Sequence, residues 1–259
     1  MFLNFRKLSA TIVITTLTIC LTAAIPAKAE VSEVKEKPRL YSYVAIWTIP
    51  RADWAAMNEP SPAARDLVAK SLASGKLVGV GEASSLMHHH GGPTHMNWWS
   101  SMSEAGLLAY LDDESALPGN PVLTKSTNHA DFIVVSTYYN RKAATIKSGY
   151  EMVSYLKLKA DAPEKTYSLI AKTVVAPVLE KLFTEGALAE YSICAEDFQS
   201  GPARGFWVEW IAPNADAVDK VNAAWRDALE KSATLDFSMG YIDWDAARDY
   251  IYHVDATLK

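Results

Sequence analysis

From Tyr41 onward the chain alternates short β-branched and aromatic runs with longer stretches of helical period. Tyr41–Ile49 and Tyr150–Leu158 are apolar runs of strand length. A helical stretch follows each, Ser61 to Ser74 and Ala162 to Thr184. Each stops at a glycine, Gly75 or Gly186, the residue that best tolerates the left-handed backbone past a helix end. Second strands are expected over Lys76 to Leu86 and Ala187 to Ala195. Gly92-Pro93 and Gly201-Pro202 turn the chain into third strands carrying Trp98 and Trp207. Further helices start after the capping residues Ser103 and Asn214 and run to about Asp113 and about Lys231. The closing strands contain Asp131-Phe132 and Asp236-Phe237.

The two series repeat one another: the Gly-Pro turns and the tryptophans recur at the same offset of 109 residues. Each series has the order β-α-β-β-α-β, which is the ferredoxin-like arrangement with both helices on one face of an antiparallel sheet. One such unit leaves its other sheet face bare. Tyr41–Ile49 and Phe132–Tyr139 are apolar on both sides, as strands covered on both faces are. The expected fold is therefore α+β. Two tandem ferredoxin-like units, residues 40–145 and 146–259, press their antiparallel sheets together into a pseudo-dimeric α/β barrel after a linker at 30–39. In element order and self-similarity over about residues 40–254, the chain resembles the dimeric α/β-barrel superfamily in a fused tandem form. The resemblance implies a ligand held in a space bounded by a sheet. The superfamily includes cofactor-free monooxygenases, haem enzymes of the chlorite-dismutase type, stress-responsive domains and small-ligand binders.

Residues 1–29 carry a different pattern. Arg6 and Lys7 precede an uncharged apolar and threonine-rich stretch from Leu8 to Ile25, and Ala27-Lys28-Ala29 supplies small residues around a cleavage point. This is the layout of a secretory signal peptide, and it predicts a periplasmic or secreted protein. Three positive charges and no acid leave with it, so the net charge falls from −5 to −8. An acidic chain repels phosphate backbones, which argues against nucleic acid as a partner. Cys194 then stands alone, so an apolar core and not a disulfide must hold the fold. No later segment is long and apolar enough to span a bilayer.

Four of the six histidines crowd into Met87–His95. A tight loop at Gly91–Thr94 would set His90 opposite His95 and His88 opposite Asn97, so that these side chains share one face with Trp99 beyond them. Three imidazoles so placed suit a transition metal (Zn, Cu, Ni or Fe), and one alone suits a haem iron. Glu82 shares their strand parity as a further ligand or a base. Imidazoles also serve acid–base chemistry on an organic ligand, and a solvated polar tip would look the same. At the offset of 109, the second series has Asp197, Gln199 and Arg204 in place of His88, His90 and His95, so the fold itself does not demand imidazoles there. Tyr43, Trp47 and Trp99 are candidates to line an aromatic cavity between the sheets, with Asn97 and His129 as polar contacts.

Gly-rich phosphate loops, nucleophile elbows and His-Glu-x-x-His are missing, which removes nucleotide and most hydrolase chemistry. The expected function is an exported binder of a small apolar or aromatic molecule near the histidine hairpin. A metal- or haem-dependent oxidoreductase or monooxygenase using the same histidines is the alternative. A structural module whose outer strands join two chains into a homo-oligomer is the third reading.

Overall fold

Eight strands form among the described residues, and every ladder is antiparallel: β1 (Leu40–Thr48), β2 (Gly79–Ser85), β3 (His95–Ser101), β4 (Asn128–Arg141), β5 (Tyr150–Lys157), β6 (Glu190–Phe198), β7 (Gly205–Ala212) and β8 (Arg248–Leu258). The structure is a computed structural model that describes residues 34–57, 59–87, 92–143, 145–198, 205–231 and 240–258. The signal-peptide reading of residues 1–29 lies outside them.

The strands close a barrel in the order β1-β3-β2-β8-β5-β7-β6-β4. The sequence pattern led us to expect two sheets meeting through bare faces. Instead the sheets also join edge to edge, β2 with β8 and β4 with β6. Closure gives the edge N–H and C=O groups partners, so these strands are not free to recruit a second chain. The inward face is then a core. Val44, Met96, Trp98, Val134, Trp207 and Tyr252 fill it, as side chains fill small eight-stranded barrels.

Helices lie outside the barrel: α1 (Trp54–Met57), α2 (Pro62–Ala73) and α3 (Glu104–Ser115) in the first half, and α4 (Thr166–Ile170), α5 (Ala176–Thr184) and α6 (Ala215–Lys231) in the second. The Ser103 and Asn214 caps are those the sequence predicts, and Ser61 caps α2 in the same way. Ser61 Oγ accepts from the Ala64 N–H at 3.1 Å, Ser103 Oγ from Gly106 at 2.9 Å and Asn214 Oδ1 from Ala217 at 2.9 Å. Gly75 and Gly186 sit at φ +74° and +80° past α2 and α5. In the second half a core lies between sheet and helices, with Leu179, Leu182 and Val221 clustered with Phe206, Val208 and Trp210.

Local expectations differ from the structure. The long helix expected over Ala162 to Thr184 is α4, a π turn (Ala171–Val175) and α5. Pro177 has no N–H to return to the carbonyl four residues back, which favours the wider turn. The strand that closes the barrel is β8; the strand expected around Asp236-Phe237 lies outside the described residues. Eleven residues with Tyr250, Tyr252 and Val254 in alternation can serve both β2 and β5, as the closing strand must. Finally, β2 leaves the ladder after Ser85, so Ser84 and Glu82 stand opposite His95 and Asn97. His90 and His88 do not take those places. Residues 88–91 lie outside the described ones.

Candidate functional site

Register decides what faces the first-half helices. Tyr43 pairs with Trp99, Ala45 with Asn97 and Trp47 with His95, while Val80 and Glu82 pair with Trp99 and Asn97 from the other side. Side chains alternate along each strand, so this set points outward, away from the barrel core. Above it stand Arg65 and Val68 of α2 and Tyr110 and Glu114 of α3. Together they enclose a cavity of about 750 Å³. The aromatic cavity expected between the sheets is thus between the sheet and its helices. Small residues leave it room: Ala45 and Ala256 on the strands, Ala64 and Ala69 on α2. Its rim is aromatic, with Tyr43 and Trp99 at a ring separation of 5.6 Å and Trp99 and Tyr110 at 6.2 Å.

The wall carries acid–base groups. Burial, and then the neighbouring Asp255 carboxylate, push Glu82 up to about 7. A β-bulge in the β2–β8 ladder, between Glu82 and Ala83, leaves Asp255 as the extra residue. Asp255 Oδ1 accepts from Ser84 Oγ at 3.3 Å and lies 3.6 Å from His253 Nδ1. The β2–β3 register is unbroken, so Glu82 keeps its place beside Asn97. Burial, then Asp131, raises Glu114 above the usual carboxylate range. Burial, then Asp131, likewise raises Tyr43. At a pH near neutrality Glu82 therefore has both a protonated and an ionised population, the condition for general acid–base catalysis.

The histidines separate. The His95 ring is buried outside the cavity lining, with Nδ1 3.0 Å from Thr94 Oγ1 and its ring edge-on to Trp54 at 5.0 Å. Arg51 covers Trp54 at 4.0 Å. Burial, then Arg51, pushes the His95 imidazole down to about 4, so it is neutral under ordinary conditions. His129 stacks on Trp47 at 3.6 Å and places Nε2 2.7 Å from Asp131 Oδ1. The structure thus gathers Tyr43, Trp47, Glu82, Asn97 and Trp99 of the expected site, sets His129 beside it and leaves His95 apart.

Among the described residues, no group of three His, Cys, Asp or Glu side chains is arranged to hold a metal ion. A haem iron needs a strong axial donor. The described lining offers neither imidazole nor thiolate, and Tyr43 and Tyr110 are held neutral by burial and neighbouring carboxylates. These residues do not fit a haem. Sequence reasoning missed Tyr110, Glu114 and Asp131. Leu107, Tyr110 and Glu114 fall at helical spacing on one stripe of α3, and a carboxylate on that otherwise apolar stripe was the available signal.

No family model and no curated protein matches the sequence. Solved structures do. A candidate monooxygenase from Fusobacterium nucleatum subsp. nucleatum is similar at a TM-score of 0.63 and 9% identity, over 85% of this chain and 94% of that one. A candidate monooxygenase from Lactobacillus acidophilus gives 0.54 and 9%, over 86% and 97%. An anthrone oxidase-like protein gives 0.54 and 10%, over 86% and 94%. The likeness is one of fold, the dimeric α/β-barrel fold.

Proposed function

We propose that this protein is an oxidoreductase that binds a planar aromatic molecule in the first-half cavity and uses Glu82 as its base. The observation that carries this reading is a half-buried carboxyl poised near pH 7 in an aromatic cavity large enough for a small polycyclic ligand. In the chemistry envisaged, the Glu82 carboxylate removes a proton from an activated CH2 group of the ligand. The resulting carbanion, delocalised over the ring system, reduces dioxygen. Overall the CH2 becomes C=O, one oxygen atom entering the product and the other leaving as water with the two hydrogens. Asn97, opposite Glu82, is placed to hydrogen-bond the oxygen on which negative charge develops. The monooxygenase and anthrone oxidase descriptions of the structural neighbours favour this class over plain ligand binding.

The barrel also fits a duplication. The order β4-β1-β3-β2 of the first half recurs as β8-β5-β7-β6 in the second, the order of tandem ferredoxin-like units. On that reading Glu82 and Asn97 correspond to Ala195 and Phe206, themselves paired. The second half thus has an apolar pair, with Phe206 in the core, where the first has an acid and an amide facing a cavity. Polar groups at that place serve a ligand and not the fold. We further propose that the reaction takes place after export, on the signal-peptide pattern of residues 1–29.

Anthrone is a suitable probe, with oxygen uptake as the measurement. The expected result is one dioxygen consumed per anthrone, and a loss of about 10²-fold or more in rate for Glu82→Gln. Uptake that is unchanged in Glu82→Gln would remove Glu82 from the chemistry.

A further inference from the structure

At one end of the barrel the apolar interior gives way to polar groups. Ile211 on β7 pairs with Glu190 of β6 on one side and Glu151 of β5 on the other. The two glutamates are thus two strand spacings apart, about 10 Å between backbones, with their side chains on one face. Glu209, two residues before Ile211 on that face, pairs with Ser192. Ser42 of β1 and Ser100 of β3 face the same space, their hydroxyl oxygens 2.8 Å apart. Arg141 of β4 reaches across: its Nη1 donates to the Val78 carbonyl at 3.3 Å, and its Nη2 lies 3.5 Å from Glu190 Oε1. These groups line a cavity of about 20 Å³, room for one guest the size of a water molecule.

Glu151 is the group that calls for a guest. It is 4% exposed, it lines the cavity, and its Oε2 has no hydrogen-bond partner among the described residues. A buried polar atom left in that state is costly, and an ion or water is the usual remedy. Charge decides between the two. Three carboxyl groups line the space, and Arg141 is the only cation among the described lining residues, engaged with Glu190. The wall is therefore rich in acceptors, and a water supplies only two hydrogens. A metal ion would need its oxygens drawn in to about 2.0–2.6 Å, and the described carboxylates are not so arranged. An N–H donor bonds at about 2.9 Å and suits a looser ring. Burial, then Glu209 and Glu190, raise Glu151 well above the usual carboxylate range, so without a cation it holds a proton. Glu190, Glu209, Arg141, Tyr252 and Cys194 are the ionisable groups around it.

We infer that this end of the barrel is a binding site for an ammonium ion, held by the Glu151 carboxylate with the neighbouring carboxyl and serine oxygens as further acceptors. Binding exchanges one cation for another: the Glu151 carboxyl gives up its proton to solvent, and the ammonium N–H groups take its place. The site lies inside the barrel and stands independently of the cavity between sheet and helices.

Thermal unfolding near pH 7 in ammonium, potassium and tetramethylammonium chlorides at equal concentrations tests it. The melting temperature should rise with the logarithm of ammonium concentration once the site fills, and stay level in tetramethylammonium, which has no N–H. Potassium, without directed hydrogen bonds, should act about tenfold more weakly or less. Titration calorimetry in two buffers of different ionisation enthalpy should show about one proton released per ammonium bound, whereas an exposed surface site releases none. Glu151→Gln keeps the shape, removes the charge and should abolish both effects. Equal melting curves in ammonium and tetramethylammonium would mean that a water suffices there, and overturn the inference. Potassium matching ammonium, binding without proton release, or a full response in Glu151→Gln would overturn it too. The salt comparison and the proton count need no variant, so they decide the matter even if Glu151→Gln does not fold.

Discussion

Gly81 lies on β2 directly opposite Trp98, with its inward side covered by the indole ring. A β-carbon there would come closer than 3.0 Å to Trp98 Cζ2, Cε2 and Cη2. Carbon atoms rest about 3.5–4.0 Å apart, so in Gly81→Ala the ring must shift by about 1.5 Å. Trp98 is 8% exposed and is packed among Val44, Met96, Val134 and Tyr252, which leaves it little room. Expelling the ring altogether would forfeit burial worth about 4–6 kcal/mol, so partial overpacking at about 1–3 kcal/mol is the cheaper response. Loss of glycine's freedom in the unfolded chain returns only about 0.4–1 kcal/mol. The expected net is a loss of about 1–2 kcal/mol, or roughly 2–8 °C in melting temperature. Urea unfolding followed by tryptophan fluorescence measures it. Gly119→Ala, where no atom lies within 4 Å, is the control and should be neutral. Adding Trp98→Leu to Gly81→Ala should relieve the clash, giving a coupling of about 1 kcal/mol in the double-mutant cycle. If Gly81→Ala matches wild type, or the two substitutions simply add, Trp98 does not lie over Gly81. The register that seats Glu82 beside Asn97 would then be wrong as well.

Three further outcomes are expected. With Glu82 as the proposed base and its carboxyl held up to about 7, kcat/KM for oxygen uptake should rise with pH through about 7, and Glu82→Gln should abolish that limb. Glu209, buried in the barrel, is also raised to about 7, and Glu151 beside it is raised by burial and by Glu209. The folded state therefore binds more protons than the unfolded one between about 4.5 and about 7, and these groups withdraw stability as pH rises through that window. His95, pushed down to about 4, works the other way, its contribution growing as pH rises from about 4 to about 6.5. Glu209→Gln should flatten the fall in melting temperature between pH 5 and pH 8, and an unaltered slope would discount Glu209 as its source. Cys194 is 1% exposed and its thiol is raised well above the ordinary range by burial, so a thiol reagent should modify it only after unfolding.

Much of the fold was legible because it rests on local rules. Helix ends at Ser61, Gly75, Ser103, Asn214 and Gly186 follow from capping chemistry that acts within a turn. Strand runs show in their apolar alternation. The histidine hairpin drew attention by composition alone. Composition does not locate a ladder's end: β2 stops at Ser85, and the place facing Asn97 belongs to Glu82.

What the sequence determined by itself was the succession of strands and helices, the core-forming tryptophans and an aromatic set around Tyr43, Trp47 and Trp99. Only the tertiary structure decided that the sheets close edge to edge, that this aromatic set faces the helices, and that Glu82, Glu114 and Tyr43 share one cavity. The physical reason is range. Capping and alternation are set by neighbours a few residues apart. The burial and the Asp255 carboxylate that lift Glu82 join residues 173 positions apart along the chain, and act only once the barrel closes.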